Sequence, residues 1–146
     1  MDIDRTIRTT FSNISKLYDK ARISYPRKLI KDIIDFAKIK KEDRVLDVGC
    51  GTGQATILFS EKGFNVTGLD IGKGMIQLCK KKFSKFVNVS FKQGTFEEAE
   101  FPNKFNLIIS AMAWHWIDPE IREIKACQLL KENGSLALFW NYQRKK

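Results

Sequence analysis

The sequence predicts a single α/β domain, a mostly parallel sheet with helices packed on both of its faces. Three observations predict it. From Arg44 onward, short strand-like apolar runs alternate with amphipathic helical runs. A glycine-rich turn, "GCGTG" at 49–53, follows directly on the first of those strands. Strands separated by helices must also run parallel, because the intervening helix supplies the right-handed crossover a parallel return needs. The 146 residues suit one domain, read here as a helical segment over 1–40 and an α/β core over 41–146. At 43% hydrophobic and 29% charged, the chain buries a core and has no signature of disorder.

Taken in order, "TIRTTFSNISKLYDKAR" repeats Ile7, Phe11, Ile14, Leu17, Tyr18 and Ala21 at helical spacing. "SYP" interrupts it, since Pro26 disfavours helix at Tyr25. A second amphipathic helix runs from Arg27 to Phe36 and buries Leu29, Ile30, Ile33 and Ile34. "RVLDV" is the first strand and "QATILFSEK" a helix; "FNVTGLD" is the second strand and "KGMIQLCKKKF" the next helix. "VNVSFKQ" alternates as a third strand, and "FNLIISA" is a continuous apolar fourth. "PEIREIKACQLL" is a helix with Pro119 in its first turn, and Asn133-Gly134 ends it before a fifth strand, "SLALFWN". Ligands of such a sheet bind at the carboxyl ends of its strands.

Composition narrows the function classes. No apolar run approaches the ~18 residues of a membrane span, and the N-terminal residues lack the apolar centre of a signal peptide. Cys50, Cys79 and Cys127 form no CxxC pair and leave one thiol over, which fits a reducing cytoplasm; no metal site is expected. The net charge of +9 raises a nucleic-acid partner. Lysines scattered beside glutamates and aspartates read better as solvated helix faces, and "KIKKEDR" carries no stacking aromatics.

Spacing restricts what the glycine turn accepts. The dinucleotide fingerprint wants glycine at its sixth position, where Gln54 stands, and the third glycine falls one residue early at Gly53. No Gly-Lys-Ser/Thr opens the helix, which excludes the phosphate loop. Asp70 ends the second strand about 20 residues past Gly49, where a carboxylate accepts both hydroxyls of a ribose. Its competing role is to cap the helix that begins near Gly72. Asp47 sits inside the first strand, where a buried charge needs a partner such as a ligand ammonium or a lysine.

"VLDVGCGTG" with "VTGLD" resembles motif I and the acidic end of strand two in class I S-adenosylmethionine-dependent methyltransferases. "QGTFEEAEFP", "FNLIISAMAWHWID" and "LLKENGSLALFW" are similar to that family's later motifs, so the likeness runs over nearly the whole chain. "AWHW" with "YDKARISYP" resembles a small-molecule subgroup that includes trans-aconitate methyltransferase-like proteins. The resemblance implies a Rossmann-like sheet in the order 3-2-1-4-5 with an N-terminal helical lid, and S-adenosyl-L-methionine as cofactor. It also implies residue roles. Gly49, Gly51, Gly53 and the Cys50 backbone line the methionyl part, with Asp47 near its ammonium; Asp70 holds the ribose and Ile71 packs on the adenine. Thr95 stands where the family often has an acid, which shifts the adenine contact toward the Phe96 backbone; Ser110 and Ala111 flank the methionyl chain, and Arg22 of the lid reaches its carboxylate.

Methyl transfer from a sulfonium is a displacement that requires alignment and exclusion of water, and a base only where the acceptor has a high pKa. His115, the single histidine, is the candidate base, walled by Trp114 and Trp116; its alternative is a packing turn in which it bonds backbone. The implied acceptor is a small-molecule oxygen or carboxylate. RNA or protein methylation and a cofactor-binding pseudoenzyme are the alternatives, with a nicotinamide dehydrogenase more remote. The family's sheet has two further strands, six and seven, after the fifth, and "NYQRKK" follows the fifth directly here. The expectation is therefore a truncated chain whose fifth strand offers an open edge, pairing through residues 135–141 with a second copy.

Overall fold

The structure, a computed structural model, describes residues 25–141. The helix expected over 7–21, and with it Tyr18 and Arg22, lies outside the described residues.

Helix α1 (Arg27–Ala37) starts on Pro26, whose fixed φ of −60° leads into the first turn. The Pro26 carbonyl accepts the Leu29 N–H at 3.1 Å. Lys38, left-handed at φ 54°, ends the helix. One face of α1 packs on the sheet: Ile30 is buried, and Leu29, Ile33 and Ile34 are half-buried against the same core. At its foot Tyr25 is buried edge-on against Phe139, ring centres 5.0 Å apart.

The core follows as β1 (Arg44–Val48), α2 (Gln54–Ser60), β2 (Asn65–Asp70), α3 (Lys73–Lys82) and β3 (Val89–Gln93). Then come β4 (Phe105–Ala111), a 3-10 turn (Trp114–Trp116), α4 (Arg122–Leu129) and β5 (Leu130–Phe139). The sheet order is β3-β2-β1-β4-β5 with every pairing parallel, as the strand–helix alternation requires. Among the described residues no helix is long and apolar enough to cross a membrane.

Side chains alternate across this sheet with period two. Val45, Val66, Leu107 and Ile109 face α1 and α2, where Ala55 and Phe59 meet them. Leu46, Val48, Leu69 and Ile108 face the other way, toward α4 and the buried Trp114. With both faces covered, β1 and β4 are buried along nearly their whole length, and the sequence pattern locates them to the residue.

The largest departures from the sequence expectation lie at the two ends of α4. Pro119 lies ahead of the helix in a turn: the Asp118 carbonyl accepts the Ile121 and Arg122 N–H groups, and its Oδ1 accepts that of Glu120. That side-chain bond holds a separate turn, so α4 begins only at Arg122. At the other end α4 stops at Leu129, ahead of the expected Asn133-Gly134 stop. Leu130 already pairs with Phe105, and the next partners are Leu107 and Ser135. The intervening residues bulge out of the ladder, with Asn133 at φ 66°; the asparagine signal marks a bulge inside β5 and not the helix end.

Candidate functional site

A cavity of about 400 Å³ opens at the carboxyl ends of the strands, where an open parallel sheet places its ligands. Its floor is the turn after β1. The ladder with β2 continues past that strand, since the Gly49 and Cys50 N–H groups both donate to the Leu69 carbonyl, at 2.8 and 3.0 Å. Gly49 then turns left-handed at φ 70°. A Cβ on it would stand 2.4 Å from the Ala113 Cβ, so its bareness lets the loop after β4 close over the turn. Gly53, at φ 92° before α2, makes room in the same way for the Phe83 ring, 2.5 Å from where its Cβ would be. At these two positions the close neighbour is the protein itself.

Asp70 is the hinge of the site. Its Oδ2 accepts the Gly51 N–H at 2.9 Å and its Oδ1 accepts the Gly72 N–H at 2.8 Å. It therefore does cap the turn into α3, and it clamps the glycine turn as well. Each carboxylate oxygen retains a further lone pair, and the residue lines the cavity. A rigid, half-buried carboxylate with two spare acceptor directions suits a vicinal diol.

The cavity wall gathers Gly49, Gly51, Asp70, Ile71, Thr95, Phe96 and Ala111 from the residues singled out in the sequence. Asp47, Cys50, Gly53, Ser110 and the candidate base His115 are not on it. Asp47 is fully buried and faces α2, where its Oδ2 accepts the Thr56 hydroxyl at 2.7 Å. The Ser110 hydroxyl donates to the Val48 carbonyl at 2.9 Å, tying β4 to β1 beneath the floor. The Cys50 thiol packs with Cys79 and Ile76, and the hydrogen bond with Cys79, burial and the nearby Asp47 charge push its pKa well above the ordinary thiol value. It is a packed, inert thiol. Thr95 uses its hydroxyl to accept the Glu98 N–H at 3.2 Å. Helix α1 contributes no residue to the wall.

The wall also holds Trp116, expected there from the sequence, and residues that sequence reasoning passed over: Met75, Glu97, Met112, Ala113 and Ile117. Glu97 had a signal, standing two residues beyond the expected acid position. Met112 had none; it adopts φ 61° on the loop after β4, a conformation uncommon for a non-glycine residue. Trp116, 81% exposed, and Ile71, 70% exposed, leave apolar surface at the mouth. Charge is one-sided here. In a chain of net charge +9, the charged lining residues are Asp70 and Glu97, with no lysine or arginine among the described residues of the wall.

His115 lies on the 3-10 turn beside that mouth. Its ring centre is 4.7 Å from that of Trp116, and the Trp140 Nε1–H donates to its Nδ1 at 3.3 Å. The partner is thus a side chain from the end of β5, and not backbone.

Residues 45–134 match the family described as Methyltransferase domain. The chain is 30% identical over 138 residues to an uncharacterized methyltransferase of Mycobacterium tuberculosis, covering 94% of this chain and 54% of that protein. It is 34% identical over 141 residues to a malonyl-(acyl-carrier protein) O-methyltransferase of Acetivibrio thermocellus, covering 92% and 49%. The crystal structure of the YcgJ protein from Bacillus subtilis superposes with a TM-score of 0.66 at 31% identity, covering 73% of this chain and 47% of that one. The chain spans about half the length of the curated relatives it matches.

Proposed function

Since the chain belongs to the class I S-adenosylmethionine-dependent methyltransferases, we propose that its cavity binds S-adenosyl-L-methionine and that it methylates an oxygen, foremost a carboxylate, of a small or carrier-bound acceptor. The observation that carries the cofactor half is Asp70, fixed through Gly51 and Gly72 with its spare lone pairs on the cavity. The donor set fits in a second respect: among the described residues, two carboxylates and no cation on the wall suit a ligand bearing a sulfonium and an ammonium.

When bound, the cofactor supplies an electrophilic methyl on a positively charged sulfur. The chain's own residues bind and orient. Asp70 receives the ribose hydroxyls, Ile71 and Met75 flank the base, and Glu97 offers the acceptor for an adenine amino group that Thr95 lacks. Gly49 and Ala111 border the methionyl end, Gly49 by letting the loop at Ala113 close over the turn. Trp116, Met112 and Ile117 supply apolar surface that excludes water from the acceptor's approach.

The carboxylate acceptor is supported by the O-methyltransferase relative, together with a chemistry that asks for no base. The test is direct. Thermal-shift titrations with S-adenosylmethionine and S-adenosylhomocysteine are expected to stabilise the chain, and NAD is not. A screen of carboxylic acids against alcohols and amines then reads the acceptor. Indifference to both S-adenosyl ligands sinks the reading.

A further inference from the structure

We infer that His115 is an acceptor-binding hydrogen-bond donor and not a general base, because Trp140 fixes the tautomer in which Nδ1 is bare and Nε2 carries the proton. The acceptor part rests on the methyltransferase reading; the tautomer does not.

The argument begins with what an indole can do. Its Nε1–H donates and never accepts. The Trp140 Nε1 lies 3.3 Å from the His115 Nδ1, so that nitrogen must present its lone pair. A neutral imidazole has one donor and one acceptor nitrogen, which leaves the proton on Nε2. The single lone pair that would take up a proton is the one Trp140 occupies. The nitrogen left for a ligand offers a hydrogen.

The fold explains why the two rings meet. Strands β4 and β5 are neighbours, and their pairing runs on past Ala111, where the Met112 N–H donates to the Phe139 carbonyl at 2.9 Å. Trp140 follows at once and emerges beside the Trp114–Trp116 turn. That turn is anchored from below: Trp114 is buried against Phe96, ring centres 5.5 Å apart, and its carbonyl accepts the Arg122 guanidinium at 3.4 Å. Trp116 lies 4.7 Å from the His115 ring and lines the cavity. His115 is thus positioned by two aromatic neighbours, of which Trp116 lines the cavity, with Trp140 as the positioning residue.

A donor here has a specific use. In the proposed complex Glu97 is taken up by the adenine amino group and Asp70 by the ribose, and both Asp70 oxygens already hold backbone N–H groups. An acceptor arriving beside β4 and β5 therefore has to be ionised already. A carboxylate is, with an ordinary pKa near ~4. One of its oxygens forms the new bond to the methyl carbon as the methyl–sulfur bond breaks, and that electron pair stays on sulfur. No proton changes hands. The Nε2–H holds the acceptor in line by bonding the other oxygen.

Because the chain has one histidine, a long-range proton–nitrogen NMR spectrum of the full chain labelled at histidine reads the tautomer without ambiguity. We expect a protonated Nε2 and a bare Nδ1, and in Trp140→Phe a mixture of the two tautomers. With S-adenosylhomocysteine bound, hexanoate or benzoate is expected to shift the Nε2 resonance, and their methyl esters are not. In the transfer assay His115→Ala should cost about 10–100-fold in kcat/KM, the loss of one charge-assisted hydrogen bond. His115→Gln, which keeps a donor but has no basic nitrogen, should restore most of it. A protonated Nδ1 in the parent chain, a Gln variant as inactive as the Ala variant, or an equal response to acid and ester overturns the inference. A chain that shows the expected tautomer but binds no S-adenosylhomocysteine overturns the methyltransferase reading alone.

Discussion

On the side of the cavity that follows β1 and β2, backbone N–H groups converge on one carbonyl and one carboxylate, whereas the side that follows β4 and β5 is furnished with aromatic side chains. On the first, Gly49, Cys50, Gly51 and Gly72 all give their N–H groups to Leu69 or Asp70, and one carboxylate organises two loops. On the second, His115 lies between Trp116 and Trp140, Trp114 packs on Phe96, and Trp116 stands 81% exposed. Backbone hydrogen bonds fix a shape that suits one ligand, and a ring of side chains can be exchanged without moving the strands. A fixed geometry at one side and an adjustable fit at the other follow from that difference in construction.

The largest effect belongs to the main-chain side. In Gly49→Ala the new methyl meets the Ala113 Cβ at 2.4 Å, in a left-handed backbone that disfavours it. Overpacking costs roughly 1–3 kcal/mol and the backbone about 1 kcal/mol more. Thermal denaturation should fall by several degrees, and calorimetric affinity for S-adenosylhomocysteine should drop at least tenfold. Unchanged affinity would mean that the turn is not part of the cofactor site.

Asp70→Asn comes next. The amide keeps one acceptor oxygen, but its NH₂ faces either the Gly51 or the Gly72 N–H, donor against donor. Hydrogen bonds to a charged group contribute about 1.5–3 kcal/mol, so binding of the nucleoside should weaken about 10–100-fold. Equilibrium binding to adenosine alone sharpens the result: 2′,3′-dideoxyadenosine should bind the parent and the Asn variant almost equally. A dideoxy analogue that still discriminates the two proteins places the carboxylate's partner elsewhere on the ligand.

The same division decides what could be read in the sequence. Gly49, Asp70 and the strand order are dictated by local rules: a left-handed turn needs glycine, and apolar runs between helices make a parallel sheet. These rules act along the chain, so the sequence displays them. Met112 and the Trp140–His115 bond depend on which loop ends meet across β4 and β5, 25 residues apart for the bonded pair, and no periodicity encodes that. Asp47 shows a third case. Its burial is legible as a charge inside a strand, but the partner seen, Thr56, comes from the face opposite the expected ligand side. The start of α4 was obscured by Asp118, whose side chain builds the turn that holds Pro119, and its end by the early pairing of Leu130 with Phe105.

Trp116→Ala gives the smallest effect on the chain itself and the clearest separation of the two sides. The ring is mostly solvated, so its removal should change stability by no more than about 0.5 kcal/mol. None of the hydrogen bonds around Gly49 and Asp70 involves it, so S-adenosylhomocysteine affinity should stay within about twofold. What it loses is apolar wall at the mouth and the ring that braces His115. The KM for a carboxylate acceptor should therefore rise, and more for hexanoate or benzoate than for acetate, because the lost contact is with the acceptor's apolar body and not its charge. A fall in cofactor affinity comparable to that of Asp70→Asn would show that the aromatic side also shapes the nucleoside pocket, and that the two sides work as one.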